Sequence, residues 1–191
     1  MKLGGALVLA LVTLVFWGGW GLLVEPAVRQ PVEFSHKAHL DLKDPKFECT
    51  TCHDRADKGA AAGRPSTKKC LSCHSGADAK SAEEKKLQAL AAGGREIPWR
   101  RVWRLPPHVF FSHRTHVALA TVKCQTCHGP METLTRPPAR PLKKLTMDDC
   151  IGCHEQWRWP AAAPDARGQE RESVTMAGGR RVSTDCNACH R

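Results

Sequence analysis

Cys124-Gln-Thr-Cys127-His128, with Phe111-Ser-His113-Arg-Thr-His116 shortly before it, decides how this chain is read. The Cys-x-x-Cys-His pattern occurs five times, at Cys49-Cys52-His53, Cys70-Cys73-His74, Cys124-Cys127-His128, Cys150-Cys153-His154 and Cys186-Cys189-His190. These motifs use all ten cysteines of the 191-residue chain.

Cys-x-x-Cys-His is the attachment pattern of a c-type haem: two thiols bond the porphyrin edge, and the adjoining histidine takes the proximal position on iron. Four-cysteine zinc sites would pair the motifs two by two, and five leaves one over. A thioredoxin-like dithiol needs a βαβ setting, which the pattern of the chain lacks. Neither alternative explains a histidine directly after every pair. The expected cofactors are therefore five covalently attached haems.

The ten histidines divide evenly. Five belong to the motifs, and His36, His39, His108, His113 and His116 are spare. Five irons need five distal ligands, so the spare histidines are expected to supply them. Four of these share one frame: Phe34-Ser-His36-Lys-Ala-His39-Leu matches Phe111-Ser-His113-Arg-Thr-His116-Val position by position. His108 stands outside that frame. Met131 and Met147 are alternative axial ligands, read here as packing residues. The repeated frame, each copy followed by two haem motifs, marks an internal duplication of a two-haem unit.

Composition points the same way. Residues 26–191 contain only 24 Leu, Ile, Val or Phe, about 14%, in a chain of formal charge +10. Such a segment ordinarily stays disordered. Five porphyrins would supply the missing apolar core, so the apoprotein is expected to be unfolded. Ten haem propionates would also bring +10 to about +5 in the ferric state and near zero in the ferrous state, with Lys and Arg as their partners. Nucleic-acid binding is the rival reading of a basic chain, and a membrane-anchored haem protein argues against it.

Residues 1–25 are expected to form the membrane anchor. After Lys2, the run Leu3–Val24 has Thr13 as its one polar side chain, and as a helix it would be about 33 Å long, enough to cross the hydrocarbon core. Trp17 and Trp20 suit an interface. Cleavage before Pro26 is the alternative, and it would leave a soluble shuttle. Residues 26–76 form the first two-haem unit, 77–110 a connection, 111–154 the second unit, and 155–191 a loop closed by the fifth motif. Within the connection, Ser81 to Glu84 reads as a capping box opening a short helix over about 82–92. The Trp99-Arg-Arg-Val-Trp103 stretch suits either a membrane or partner interface, or a cover over haem edges. The fold class is a multihaem cytochrome c: mainly coil, with short helices around five haems, one transmembrane helix and little or no sheet.

The Phe-x-His-x-x-His…Cys-x-x-Cys-His pattern resembles the class III multihaem cytochromes c. In that family the first histidine of the pair usually ligates the next haem, which implies His36 for the Cys49/Cys52 haem and His113 for the Cys124/Cys127 haem; the partners of His39, His108 and His116 stay open. The whole layout, with Trp103-Arg-Leu-Pro-Pro-His-Val-Phe-Phe-Ser-His113, Cys124-x-x-Cys-His-Gly-Pro130 and the closing Cys186-Asn-Ala-Cys-His-Arg191, is similar to the pentahaem subunit of alternative complex III. That resemblance implies a relay between a quinol-oxidising membrane complex and a soluble or attached cytochrome c. The implied partners are an iron–sulfur/molybdopterin-like protein and multispan subunits, and the haem domain would lie outside the cytoplasmic membrane. No residue is assigned a catalytic role. A NapC-type quinol dehydrogenase, an oxyanion reductase and a periplasmic shuttle are the rivals; the reductase would need an open iron position that paired histidines deny.

Overall fold

A computed structural model describes residues 8, 12–14, 27–77, 79–158 and 181–190. The expected membrane span lies almost wholly outside these residues, as does most of the loop expected after 155. Among the described residues no helix is long and apolar enough to cross a membrane.

Every haem motif sits on a helical turn. These are α2 (Cys49–Cys52), α3 (Thr67–His74), α5 (Cys124–His128), α6 (Met147–Gln156) and α7 (Cys186–Cys189). The spacing explains this. Positions i, i+3 and i+4 fall on one helix face, so a single turn points both thiols and the histidine the same way. Local capping supports turns too short to persist alone. Ser66 Oγ accepts from Lys69 N ahead of α3, Thr146 and Asp149 form a capping box on α6, and Glu48 and Thr51 cap α2 reciprocally.

The duplicated frame folds twice in the same way. In the first unit Ser35 caps α1 (His36–Leu40) by accepting from Ala38 N. In the second, Ser112 Oγ accepts from Thr115 N, and a helical turn runs into the π turn Thr115–Leu119. The expected connecting helix is α4 (Ala82–Ala91), capped by Ser81. The capping box is only half realised: Ser81 Oγ accepts from Glu84 N at 3.0 Å, whereas the Glu84 carboxylate turns elsewhere.

Sheet is absent among the described residues, apart from isolated bridges between Val109 and His190 and between Arg158 and Arg181. The side-chain core is correspondingly small. Val32, Leu87 and Ile97 form its cluster, with Cys70, Leu90 and Trp99 packed against it. Met147, expected to pack, is 62% exposed because it opens the first turn of α6.

The two units interlock reciprocally. Lys37 N donates to Leu134 O at 2.9 Å, seating α1 on the turn Met131–Thr133 that follows the third motif. In return His113 N and Arg114 N donate to Ala60 O and Gly59 O, both at 3.0 Å, in the loop after the first motif. Each histidine turn thus stands on the other unit's post-motif loop. Gly129, at φ +72°, ends α5 and turns the chain into that seat; a Cβ there would meet Leu142 Cβ at 3.2 Å.

Candidate haem-binding site

Four of the five spare histidines each face a different motif histidine. His113 lies parallel to His128, with ring centroids 6.2 Å apart and planes at 6°. His116 faces His154 at 6.1 Å and 24°, and His39 faces His74 at 6.0 Å and 58°. His108 stacks on His190 more closely, at 5.2 Å and 22°. Burial first, then the His53 and His39 charges, push His36 down to about 4. Two imidazoles that share one metal through Nε2, each at about 2.0 Å, have ring centres about 6 Å apart. Three of the separations match that value.

Hydrogen bonding fixes the tautomers of six of these histidines, whereas His36 Nδ1 is buried with no partner among the described residues. The Nδ1 atoms of His39, His53, His113, His116 and His154 lie 2.8–3.0 Å from the carbonyl oxygens of Ser35, Gly63, Ala60, Ser112 and Ser183. His74 Nδ1 lies 2.9 Å from Glu84 Oε1. Each partner can only accept, so each Nδ1 carries the proton and each Nε2 offers its lone pair. A metal-binding histidine is oriented in just this manner by its outer-shell partner.

Phe34 and Phe111 complete the two copies. Phe34 meets His36 edge-on at 5.0 Å and 89°, and stacks on His39 at 4.4 Å and 28°. Phe111 meets His113 at 4.9 Å and 89°, and His116 at 4.4 Å and 26°. One phenyl ring therefore sets the attitude of two imidazoles.

The surroundings also suit a porphyrin. Burial pushes the Cys52, Cys70, Cys127 and Cys150 thiols up, and burial with the neighbouring Cys124 thiol does so for Cys49. Burial likewise lowers His116 and His128. The buried indole N–H groups of Trp99, Trp103 and Trp157 have no acceptor among the described residues. Indole can only donate, and a haem propionate can only accept, so these donors fit the group the motifs call for. Trp103 also lies edge-on to His128 at 4.8 Å, which favours the cover reading of the Trp-Arg stretch.

Two families match this chain: class III cytochrome C over residues 23–95, and cytochrome c7 and related cytochrome c over residues 109–191. A menaquinone reductase, multiheme cytochrome c subunit, of Nitratidesulfovibrio vulgaris is 35% identical, across 75% of this chain and 76% of its own length. The chain belongs to the multihaem c-type cytochromes. Haem therefore supplies the one-electron chemistry, and the fit of the residues to it is the one just described. A cytochrome of this kind needs from its polypeptide the thiols that fasten haem, the imidazoles that ligate it and the donors that set its potential.

Glu84 orients one of these imidazoles without any signature of that role in the sequence. Glu84 was expected to cap α4, yet its carboxylate joins His74 Nδ1 to Lys80 N, the latter at 2.7 Å. These hydrogen bonds, more than the weak charge of His74, hold it below the usual carboxylate range. Nothing in the ten-residue separation from His74 advertises that contact.

Proposed function

We propose that this cytochrome carries five haems, each held by one Cys-x-x-Cys-His motif and ligated on both faces by histidine. The pairs would be His53 with His36, His74 with His39, His128 with His113, His154 with His116, and His190 with His108. The observation that carries this reading is the facing of four spare rings on four different motif rings, three of the pairs at about 6 Å. Two imidazoles per iron leave no position for a substrate, so the chain's task is electron relay. Its own residues fasten the groups, aim Nε2, hold the Nδ1 protons and keep water from the buried ring faces.

The relay would serve a quinone-linked complex in the cytoplasmic membrane. Residues 1–25 would anchor the chain, and the haem domain would lie on the periplasmic side. In the alternative complex III arrangement the neighbours are multispan quinol-site subunits and an iron–sulfur/molybdopterin-like protein, and electrons leave towards a cytochrome c. The relative's name supports a second direction, in which the complex reduces menaquinone.

Purification from native membranes in mild detergent tests this reading. Mass spectrometry should find multispan subunits and a large iron–sulfur protein travelling with the haem absorbance. Quinol-driven reduction of a cytochrome c supports the first direction, and menaquinone reduction by a reduced cytochrome supports the second. A lone haem chain that takes electrons from quinol would contradict both and favour the NapC-type alternative.

A further inference from the structure

Each histidine turn carries two spare histidines three residues apart, and those two face different motifs. His36 and His39 share α1; His39 faces His74, and in the pairing proposed above His36 serves His53. The first and second sites are therefore neighbours. His113 and His116 share the second turn and face His128 and His154, so the third and fourth sites are neighbours as well.

The interlock of the units joins the two couples at one point. His53 is oriented by Gly63 O and His113 by Ala60 O, in one post-motif loop. The other unit's loop receives α1 in the same way, through Leu134 O. The first and third sites thus meet across the pseudo-symmetric junction, and the second and fourth face outward. The fifth site adjoins the fourth. His154 Nδ1 is held by Ser183 O, three residues ahead of Cys186. Phe110 N donates to Cys189 O at 2.7 Å, which ties the fifth motif to the His108 segment.

We infer that the five attachment sites stand in space in the order second, first, third, fourth, fifth, so that the array ends at Cys70/Cys73 and at Cys186/Cys189. This rests on the five-haem reading above. The order departs from that of the chain because duplication produced two units that pack head to head. Equivalent sites meet at the centre, and the appended motif extends one arm. The second and fifth sites each have a neighbour on one side only. Electron donor and acceptor therefore meet opposite ends, which belong to motifs 116 residues apart at their first cysteines.

A cryo-electron-microscopy map of the haem-loaded protein in its native detergent-solubilised form tests the order. Each iron is assigned through the cysteine pair bonded to its porphyrin. The expected map places the Cys49/Cys52 iron between the Cys70/Cys73 and Cys124/Cys127 irons, with the Cys186/Cys189 iron beyond that of Cys150/Cys153. Five irons in which the Cys70/Cys73 and Cys124/Cys127 groups are nearest neighbours, with Cys49/Cys52 at an end, would overturn the order alone. Fewer than five irons would overturn the haem reading, and the order with it.

Discussion

Glu84 is the residue that distinguishes one site from its neighbours. Five of the six oriented Nδ1 groups give their proton to a carbonyl, and His74 gives its proton to a carboxylate. A carboxylate partner makes the imidazole a stronger donor to iron, which favours the ferric state. Glu84→Gln should therefore move one component of a spectroelectrochemical titration to higher potential and leave every haem low-spin; an unmoved titration would deny Glu84 that role. His108→Ala tests the histidine outside the repeated frame. It should open one iron to carbon monoxide in the reduced protein, and an unchanged carbon monoxide spectrum would remove His108 from the ligand set. The five spare histidines were legible in the sequence by count, and the Phe-Ser-His-x-x-His frame selected four of them. The partners of His39, His108 and His116 were not legible, because a facing ring is set by how distant turns pack and not by local spacing. Glu84 was hidden for the same reason.

The short turns depend on caps and on a few backbone hydrogen bonds to distant loops. Ser35 and Ser112 occupy equivalent cap positions, each accepting from the backbone N–H three residues on. Ser35→Ala should cost about 1 kcal/mol, lowering the thermal midpoint of the holoprotein by roughly 2–4 °C in a chain of this size. An unchanged midpoint would mean that the rings are held without the cap. Gly129 carries a different constraint. Gly129→Ala adds a side chain where the backbone is left-handed and places its Cβ against Leu142. The expected loss is about 1–2 kcal/mol, read as a lower denaturant midpoint with an unchanged slope. Ser81 announced α4, whereas the placing of every motif on a helical turn was not read from the sequence. The π turn after Arg114 and the reciprocal docking on Ala60 and Leu134 had no local signature, since both arise from one unit closing on the other.

A molecule with so few buried aliphatic side chains cannot be held by them alone. Among the described residues no side chain reaches full burial, and the one core cluster is centred on Val32, Leu87 and Ile97. The chain without haem, made by replacing the ten motif cysteines with alanine, should show no cooperative thermal transition. A cooperative unfolding curve from that variant would mean that the polypeptide folds by its own contacts. Composition points to this dependence, because a basic chain poor in Leu, Ile, Val and Phe has little apolar material for a packed interior. The arrangement of the two units around their junction was not legible, since a duplicated frame states likeness and not relative placement. In the proposed relay every iron is held between two histidines. The most direct measurement is the visible spectrum of the fully reduced protein before and after carbon monoxide, with haem quantified per chain. Five haems per chain and an unchanged spectrum are the predicted result. A spectrum that shifts for one or more haems of the intact protein, or a count below five, would contradict it.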